Sequence, residues 1–410
     1  MPISVRVAIF AVALSSASVL NAQSLTLNDA IERAVEASPQ GAAASARRDV
    51  LIAARAQADT KPAPSIDVQA ENIGIGGREL RDQFQIGATY NQRIERGGKR
   101  AARIALVEGD MNVAMAEATV RRLDIAANVQ RLYVEVQAAQ AGIANAQERV
   151  DVAAVAQREV QRRVDGARDP LFAGTRARTQ LAEARVDLDL AIHARDAALT
   201  RLASLWGGSR QGLTVSSKAF LTLDRPAAPG AMAAADVAVF QARRARGDAS
   251  IALERSNART DPTLSAGPRY LGTGDIVLVG GVSLPLRNRR LATASLARAQ
   301  AEQRQIDADL AVDRYQRNQA IALAAEKVEE ARHEVEAIRD RVLPGARQTL
   351  AEVRVGYARG GFSFLDVSTA QRELAAAHAR LVQAASRYHQ AGVELDRLTG
   401  RFIPLVEEAR

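Results

Sequence analysis

The chain has 410 residues, of which 47% are hydrophobic and 25% charged, and this composition excludes wholesale disorder and allows two or three ordinary domains. It contains no cysteine, which excludes disulfides and thiolate metal sites. The formal net charge of +8 does not indicate nucleic-acid binding, because arginines alternate with acidic residues along the predicted helices and no basic stripe with interleaved aromatic residues occurs.

The N-terminus has the three-part pattern of an export signal. Met1–Arg6 carries one positive charge, Val7–Leu14 is apolar, and small residues follow up to Ala22. We therefore predict a signal peptide over residues 1–22. No later stretch approaches the ~18 continuous apolar residues of a spanning helix, but an exported chain can still enter an outer membrane as a closed β-barrel.

Four short segments alternate apolar and polar residues with a period of two, and we predict them to be strands: residues 65–73, 83–90, 263–270 and 276–284. This period places the apolar side chains on one face. The pattern fits a half-buried sheet and a transmembrane barrel equally well. Four strands cannot close a barrel alone, so either several chains contribute strands or the strands cover a soluble core.

Two long helices follow each pair of strands, predicted over residues 99–165, 171–205, 289–355 and 364–398. Their apolar residues recur at alternating spacings of three and four, as in Ile125, Val129 and Leu132, which predicts coiled-coil packing. A helix of about 65 residues is about 100 Å long, much longer than a globular core. Consecutive long helices should therefore pair as antiparallel hairpins.

Each hairpin has a short break at its tip, which lies at the opposite end from the strands. Asp165–Pro170 forms the first break, where Gly166 can adopt positive φ and Pro170 can start the next helix. Gly356–Gly361 ends the second long helix, and Ser363 or Asp366 is placed to cap the return helix.

The same order of elements thus occurs twice. We predict the first repeat over residues 23–206, an equatorial linker over 207–230, the second repeat over 231–400 and a C-terminal tail over 401–410. Such a repeat indicates a wall or a tube rather than a catalytic pocket.

No residue pattern indicates catalysis or a resident metal. A nucleophile elbow, a phosphate loop and a Ser/His/Asp set are all missing from the sequence. The histidines, His193, His333, His378 and His389, are scattered singly along helices without ligand spacing. We therefore expect a protein that is not an enzyme and that has no cofactor and no metal ligands of its own.

Several segments resemble the TolC family of outer-membrane efflux factors over essentially the whole mature chain. Leu25–Ile31 is similar to the family's opening, and Arg96–Arg100 and Leu284–Arg289 to its strand-to-helix junctions. Gly360–Val367, followed by Ala370 and Gln371, is similar to its tip motif. The junction Gly97-Gly98-Lys99-Arg100 and the run Pro170 to Ala177 are most similar to the heavy-metal (CzcC-like) branch, although Asp169 stands where that branch has Ser.

The resemblance implies a mainly α fold with a small β part. Three chains would each give four strands to a 12-stranded transmembrane β-barrel and four helix segments to a periplasmic α-barrel. It also implies an outer-membrane homotrimer that carries heavy-metal cations passively, with a periplasmic adaptor and an inner-membrane pump of the resistance-nodulation-division type. Outer-membrane lipid is a further expected partner, and nucleic acid is not.

The resemblance also implies functional residues at the tips. Asp366 matches an aspartate and Tyr357 a tyrosine of the family's constriction, whereas Thr369 stands where a second aspartate can occur. From sequence alone, Asp366 could equally cap the return helix, and Tyr357 could equally be an aromatic residue that fills the seam between helices. The adaptor-contacting tip residues implied are Gly166, Arg168, Asp169, Pro170, Arg354, Gly356, Arg359, Gly360, Gly361 and Leu365.

A second class of protein also has long helical hairpins, namely the periplasmic adaptor or coiled-coil scaffold proteins of export systems. Adaptors usually carry one hairpin within a strand-rich region. The duplicated order of strand pair and hairpin argues against this alternative.

Overall fold

The computed structural model describes residues 24–74, 77–223 and 230–408. The predicted signal peptide, residues 1–22, lies outside the described residues. The elements in chain order are α1 (Leu27–Ala37), α2 (Pro39–Ala58), β1 (Ser65–Glu71), α3 (Arg78–Gln83), β2 (Gln85–Arg93), α4 (Lys99–Asp165), α5 (Leu171–Ser204), α6 (Ala234–Asn257), β3 (Thr263–Leu271), β4 (Ile276–Ser283), α7 (Arg289–Ala337), a π-turn (Ile338–Val342), α8 (Leu343–Ala358), α9 (Phe364–Thr399) and α10 (Ile403–Glu408).

The strands form one antiparallel sheet in the order β1-β2-β3-β4. Its register sets Ile86 opposite Tyr270 and Leu264 opposite Val282, so one face is apolar from strand to strand. The other face is polar, and there the Asn91 amide donates to Asp67 over 2.7 Å. The outer edges of β1 and β4 have no strand partner among the described residues.

The long helices form a layer in which each helix packs against the next. In the half nearer the tips, α5 packs against α4, α4 against α9, and α9 against α7 and α8. Nearer the sheet, the order of contacts is α2, α4, α6 and α7. The layer therefore ends at α5 and α8 near the tips, and at α2 and α7 near the sheet.

The second long helix differs from the prediction of a continuous helix over residues 289–355. A π-turn over Ile338–Val342 interrupts it and ends two residues before Pro344. Proline has no backbone N–H and its ring collides with the carbonyl four residues earlier, so the wider turn accommodates the ring without ending the helix.

The loop between the first two strands also differs from the prediction of an irregular loop, because it contains the short helix α3. The first strand ends earlier than predicted, and the second begins and ends later.

The middle of the molecule is closed by segments that the sequence left less defined. Phe220, from the linker, is fully buried and its ring stacks on His389 with centroids 5.2 Å apart. The C-terminal helix α10 packs against α1 and α4 through the buried Val406. Linker and tail thus join the helical layer.

A buried ion cluster joins the sheet to the helices. The Asp261 side chain, 1% exposed, lies 2.7 Å from Lys99 Nζ and 2.8 Å from Arg93 Nη2, and it accepts from the Arg96 backbone N–H over 3.0 Å. Burial would raise the pKa of Asp261, but these hydrogen bonds and charges lower it. The cluster therefore connects the segment that precedes β3 with the segment that follows β2.

Candidate functional site at the hairpin tips

The two hairpin tips meet through one buried tyrosine. Tyr357, near the end of α8, is 2% exposed and lies in a small apolar cluster with Phe364, whose ring centroid is 6.3 Å away. The cluster also contains residues of the first hairpin: Ala156, Val160, Ala173 and Ala177. Packing at this point therefore belongs to both hairpins.

The polar side of Tyr357 is bonded to the first tip. Its hydroxyl donates a short hydrogen bond to Asp169. Arg163 donates twice to the Asp169 carboxylate, each time over 3.1 Å, and once to the Tyr357 carbonyl over 3.1 Å. The guanidinium also lies over the Tyr357 ring, 4.5 Å from its centroid. We call Arg163, Asp169 and Tyr357 the tip triad.

Electrostatics of the triad favour a neutral tyrosine and an ionised aspartate. Burial, followed by the hydrogen bond to Asp169, raises the pKa of Tyr357. Burial would raise the pKa of Asp169 too, but hydrogen bonds from Arg163 and Tyr357 lower it. The hydrogen bond to Asp169 raises the pKa of Arg163. Each group thus keeps the protonation state that the contact requires.

Asp366 occupies the third position of α9, where it forms a capping box with Ser363. One carboxylate oxygen of Asp366, Oδ2, accepts from the Ser363 backbone N–H over 2.9 Å and from its hydroxyl over 2.7 Å. These bonds lower the pKa of the exposed Asp366 carboxyl. The helix cap is therefore established by geometry, with Ser363 as the N-cap residue, and Asp366 carries an exposed charge at the same time.

The tip turns differ from each other in backbone geometry. In the first tip the positive φ falls on Ala167, at 56°, whereas Gly166 has φ of −83°, so the expectation of positive φ at Gly166 is wrong. In the second tip Gly360 has φ of 84°. Gly356 has a different reason to be glycine, because a Cβ there would lie 2.0 Å from the Phe362 ring.

The remaining predicted tip residues divide by exposure. Arg354 and Gly356 are half-buried, and Asp169 is held in the triad. The exposed ones are Gly166, Arg168, Pro170, Arg359, Gly360, Gly361 and Leu365. Pro170 precedes α5 as its N-cap residue rather than starting the helix.

Sequence reasoning missed Arg163 and the apolar residues Leu171 and Phe362. Leu171 is 81% exposed in the first turn of α5, where polar residues are usual. That apolar start was the available signal, whereas nothing in the sequence distinguishes Arg163 from its neighbour Arg162. The exposed tip surface therefore combines apolar side chains with arginines.

Further from the tips, polar side chains connect the hairpins around a cavity of about 370 Å³ between α4, α5 and α9. His378 Nδ1 lies 2.8 Å from a Glu148 carboxylate oxygen, and the Gln180 amide donates to the Ser368 hydroxyl. Across the described ranges, no group of three or more His, Cys, Asp or Glu is arranged to hold a metal ion. Nor does any described helix combine the length and hydropathy needed to cross a membrane.

Comparison with known proteins identifies relatives across the chain. Residues 30–208 match the family model described as "Outer membrane efflux protein". The cobalt-zinc-cadmium resistance protein CzcC of Cupriavidus metallidurans is 28% identical over 385 residues, covering 92% of this chain and 90% of that protein. The nickel-cobalt-cadmium resistance protein NccC of Alcaligenes xylosoxydans xylosoxydans is 30% identical over 259 residues, covering 60% and 57%.

Solved structures share the fold. The outer membrane protein VceC from Vibrio cholerae matches with a TM-score of 0.67 at 19% identity, covering 91% of this chain and 96% of that one. The open state of the Neisseria gonorrhoeae MtrE outer membrane channel matches with a TM-score of 0.65 at 16% identity, covering 91% and 88%. The resemblance stated from sequence, and the mainly α fold with a small sheet, are confirmed.

The triad predicts a defined pH range for the tip contact. Because the pKa of Asp169 is lowered from 3.8, its contribution to stability is complete above that value and is lost as the pH falls further. Because the pKa of Tyr357 is raised from 10.0, its contribution is complete below pH 10.0 and is lost as the pH rises through the raised value. Ultraviolet difference titration of wild type against Tyr357→Phe should show that this tyrosine ionises at a higher pH than an exposed tyrosine does. Ionisation of Tyr357 at its ordinary pKa would contradict the triad.

Proposed function

We propose that this chain is a member of the outer membrane efflux protein family and forms the outer-membrane channel of a tripartite efflux system. Three copies enclose one passage, with the sheets in the membrane and the helices in the periplasm. The chain performs no chemistry. It provides a passive conduit, and an inner-membrane pump of the resistance-nodulation-division type, linked by a periplasmic adaptor, selects the cargo.

The observation that carries the proposal is that the sheet and the helical layer both end in unpartnered edges. The edges of β1 and β4 carry unpaired backbone groups, which a bilayer does not tolerate, and head-to-tail closure of several copies pairs them. The exposed apolar face formed by residues such as Val68, Leu278 and Val282 suits hydrocarbon. Three copies of four strands give the 12-stranded barrel that the family resemblance implies.

The helical edges support the same closure. Val186 on α5 is 56% exposed and Val342, beside α8, is 45% exposed. At about 1.5 Å per residue, they lie about 22 and 24 Å from the tip ends of their hairpin arms. Since α5 packs against α4 and α8 against α9, the two valines lie on opposite sides of the protomer. We infer that Val186 of one protomer meets Val342 of the next.

Disulfide trapping tests this closure. Because the chain contains no native cysteine, any disulfide that forms must join the introduced residues. The double variant Val186→Cys/Val342→Cys should give disulfide-linked trimers in outer-membrane fractions under mild oxidation. Each single variant serves as the control and should remain monomeric on non-reducing gels. If the membrane-extracted protein has three times the chain mass but the double variant still runs as a monomer on non-reducing gels, this pairing of valines is disproved. If the protein is a soluble monomer, the channel itself is disproved.

The tips form the gate in this proposal. The triad holds the second hairpin against the first, and the exposed Asp366 carboxylates form a ring of three around the axis. Such a ring attracts cations and, through like-charge repulsion, requires partners or counter-ions to close. Tyr357 contributes from its buried position by fixing the hairpins rather than by lining the passage.

Two variants separate the gate role of Asp366 from its capping role. Asp366→Asn removes the charge and keeps an oxygen acceptor for Ser363, whereas Ser363→Ala weakens the cap and keeps the charge. In planar bilayers, Asp366→Asn should change the conductance and lower cation selectivity at least twofold, and Ser363→Ala should preserve selectivity. If both variants changed conductance and selectivity equally, Asp366 would act only as a helix cap and not in the gate.

Heavy-metal cations are the proposed cargo, because the relatives CzcC and NccC are metal-resistance proteins by name. The exposed tip residues, including Leu171, Leu365 and Arg359, provide the docking surface for the adaptor. Apolar side chains exposed beside charges at the end of a structure are typical of interaction sites.

Complementation of a deletion strain tests cargo and docking together. The wild-type gene should restore resistance to cobalt, zinc and cadmium. Leu171→Ser/Leu365→Ser should lower the tolerated metal concentration severalfold because it removes apolar docking contacts, while single-channel conductance stays unchanged. Val155→Ser, which alters an exposed valine along α4, is the control and should restore full resistance. Full resistance in the tip variant would exclude these leucines from docking, and wild-type failure on all metals would exclude metal cargo.

A further inference from the structure

The net charge of the chain is concentrated where the strands meet the helices. Four segments make this junction: residues 59–64, 93–103, 254–262 and 284–291. Together they contain 11 basic and 4 acidic residues, a formal charge of +7 against +8 for the whole chain. The loops at the opposite end of the sheet, residues 72–84 and 272–275, contain 2 basic and 3 acidic residues. The sheet is therefore strongly polarised in charge.

Most acidic residues at the junction already have basic partners. Asp59 pairs with Arg100, Glu95 with Arg103, and Asp261 with both Arg93 and Lys99. Seven exposed basic residues remain without an ion pair in the described parts of the chain: Lys61, Arg96, Arg255, Arg259, Arg287, Arg289 and Arg290. We call these seven the basic band. Glu254 is the fourth acidic residue of these four segments.

The basic band directly adjoins the apolar face of the sheet. The chain leaves β4 through Leu284 and Leu286, the latter 94% exposed, and reaches Arg287 at the next residue. Exposed leucines followed by exposed arginines place apolar groups at hydrocarbon depth and guanidinium groups at headgroup depth. In a chain wholly in water, the arginines would be hydrated but the two leucines would remain exposed to solvent.

We infer that the basic band binds the phosphate headgroups of anionic phospholipids in the leaflet on the helical side of the membrane. The inference rests on the proposed function, because it requires the sheet to be inserted. Each basic side chain near an anionic surface contributes about 1 kcal/mol, which corresponds to about a fivefold preference. The band thereby fixes the depth and direction of insertion, and it selects the lipids around the channel.

Lipid retention measured by native mass spectrometry tests the inference. Wild-type protein, extracted from membranes, is exchanged into mixed micelles with equal phosphatidylglycerol and phosphatidylcholine. We expect phosphatidylglycerol to be enriched about fivefold or more, and the enrichment to fall as salt is raised. Arg287→Gln/Arg289→Gln/Arg290→Gln should lose most of the enrichment. The control Arg185→Gln/Arg304→Gln/Arg314→Gln removes the same charge from exposed helical positions and should keep it.

Three results would overturn the inference. One is equal retention of both lipids by wild type, and another is equal loss in the junction and control variants, which would indicate only long-range charge. The third is dissociation of the junction variant into monomers, which would assign these arginines to contacts between protomers. Wild-type protein found in the soluble fraction before extraction would instead refute the proposed function, so the two failures are distinguishable.

Discussion

Unpaired edges are the constraint on which the rest of this structure depends. The outer strands of the sheet present backbone donors and acceptors that have no partner within the described chain, and the helical layer ends in exposed valines on both sides. The β4 edge contains neither proline nor a charged residue, the features with which soluble sheets protect their edges. In the proposed trimer, closure by further copies pairs the strand edges and covers the helical edges in one step.

In the proposed channel the sheet and the helices face different surroundings, and two polar joints hold the protomer together. At the junction, Asp261 gathers Lys99, Arg93 and a backbone N–H into one buried cluster. At the tips, Arg163 and Asp169 of the first hairpin hold Tyr357 of the second. Both joints connect elements from the two halves of the chain. Movement of one hairpin tip against the other must therefore break the triad.

Charge is distributed according to the same division. Along the helices, acidic and basic residues largely neutralise each other, whereas at the junction basic residues are left over and exposed. The net positive charge of the chain is therefore not spread evenly but lies mainly at the junction of strands and helices. Its position next to the apolar face of the sheet gives it a physical meaning that the total does not have.

The sequence by itself determined the elements of this protein. Period-two and heptad patterns reflect which face of each strand or helix avoids water, and that preference is local, so the limits of α4 and the start of α9 followed from the residues. The same patterns do not encode which distant residue meets which. Arg163 lies over Tyr357 only because the two hairpins pack together. Positive φ at Ala167 and the π-turn before Pro344 are local backbone adjustments that the periodicity of apolar residues does not register. Tertiary structure alone decided the tip triad, because its members lie far apart in the chain and their types are common everywhere in it.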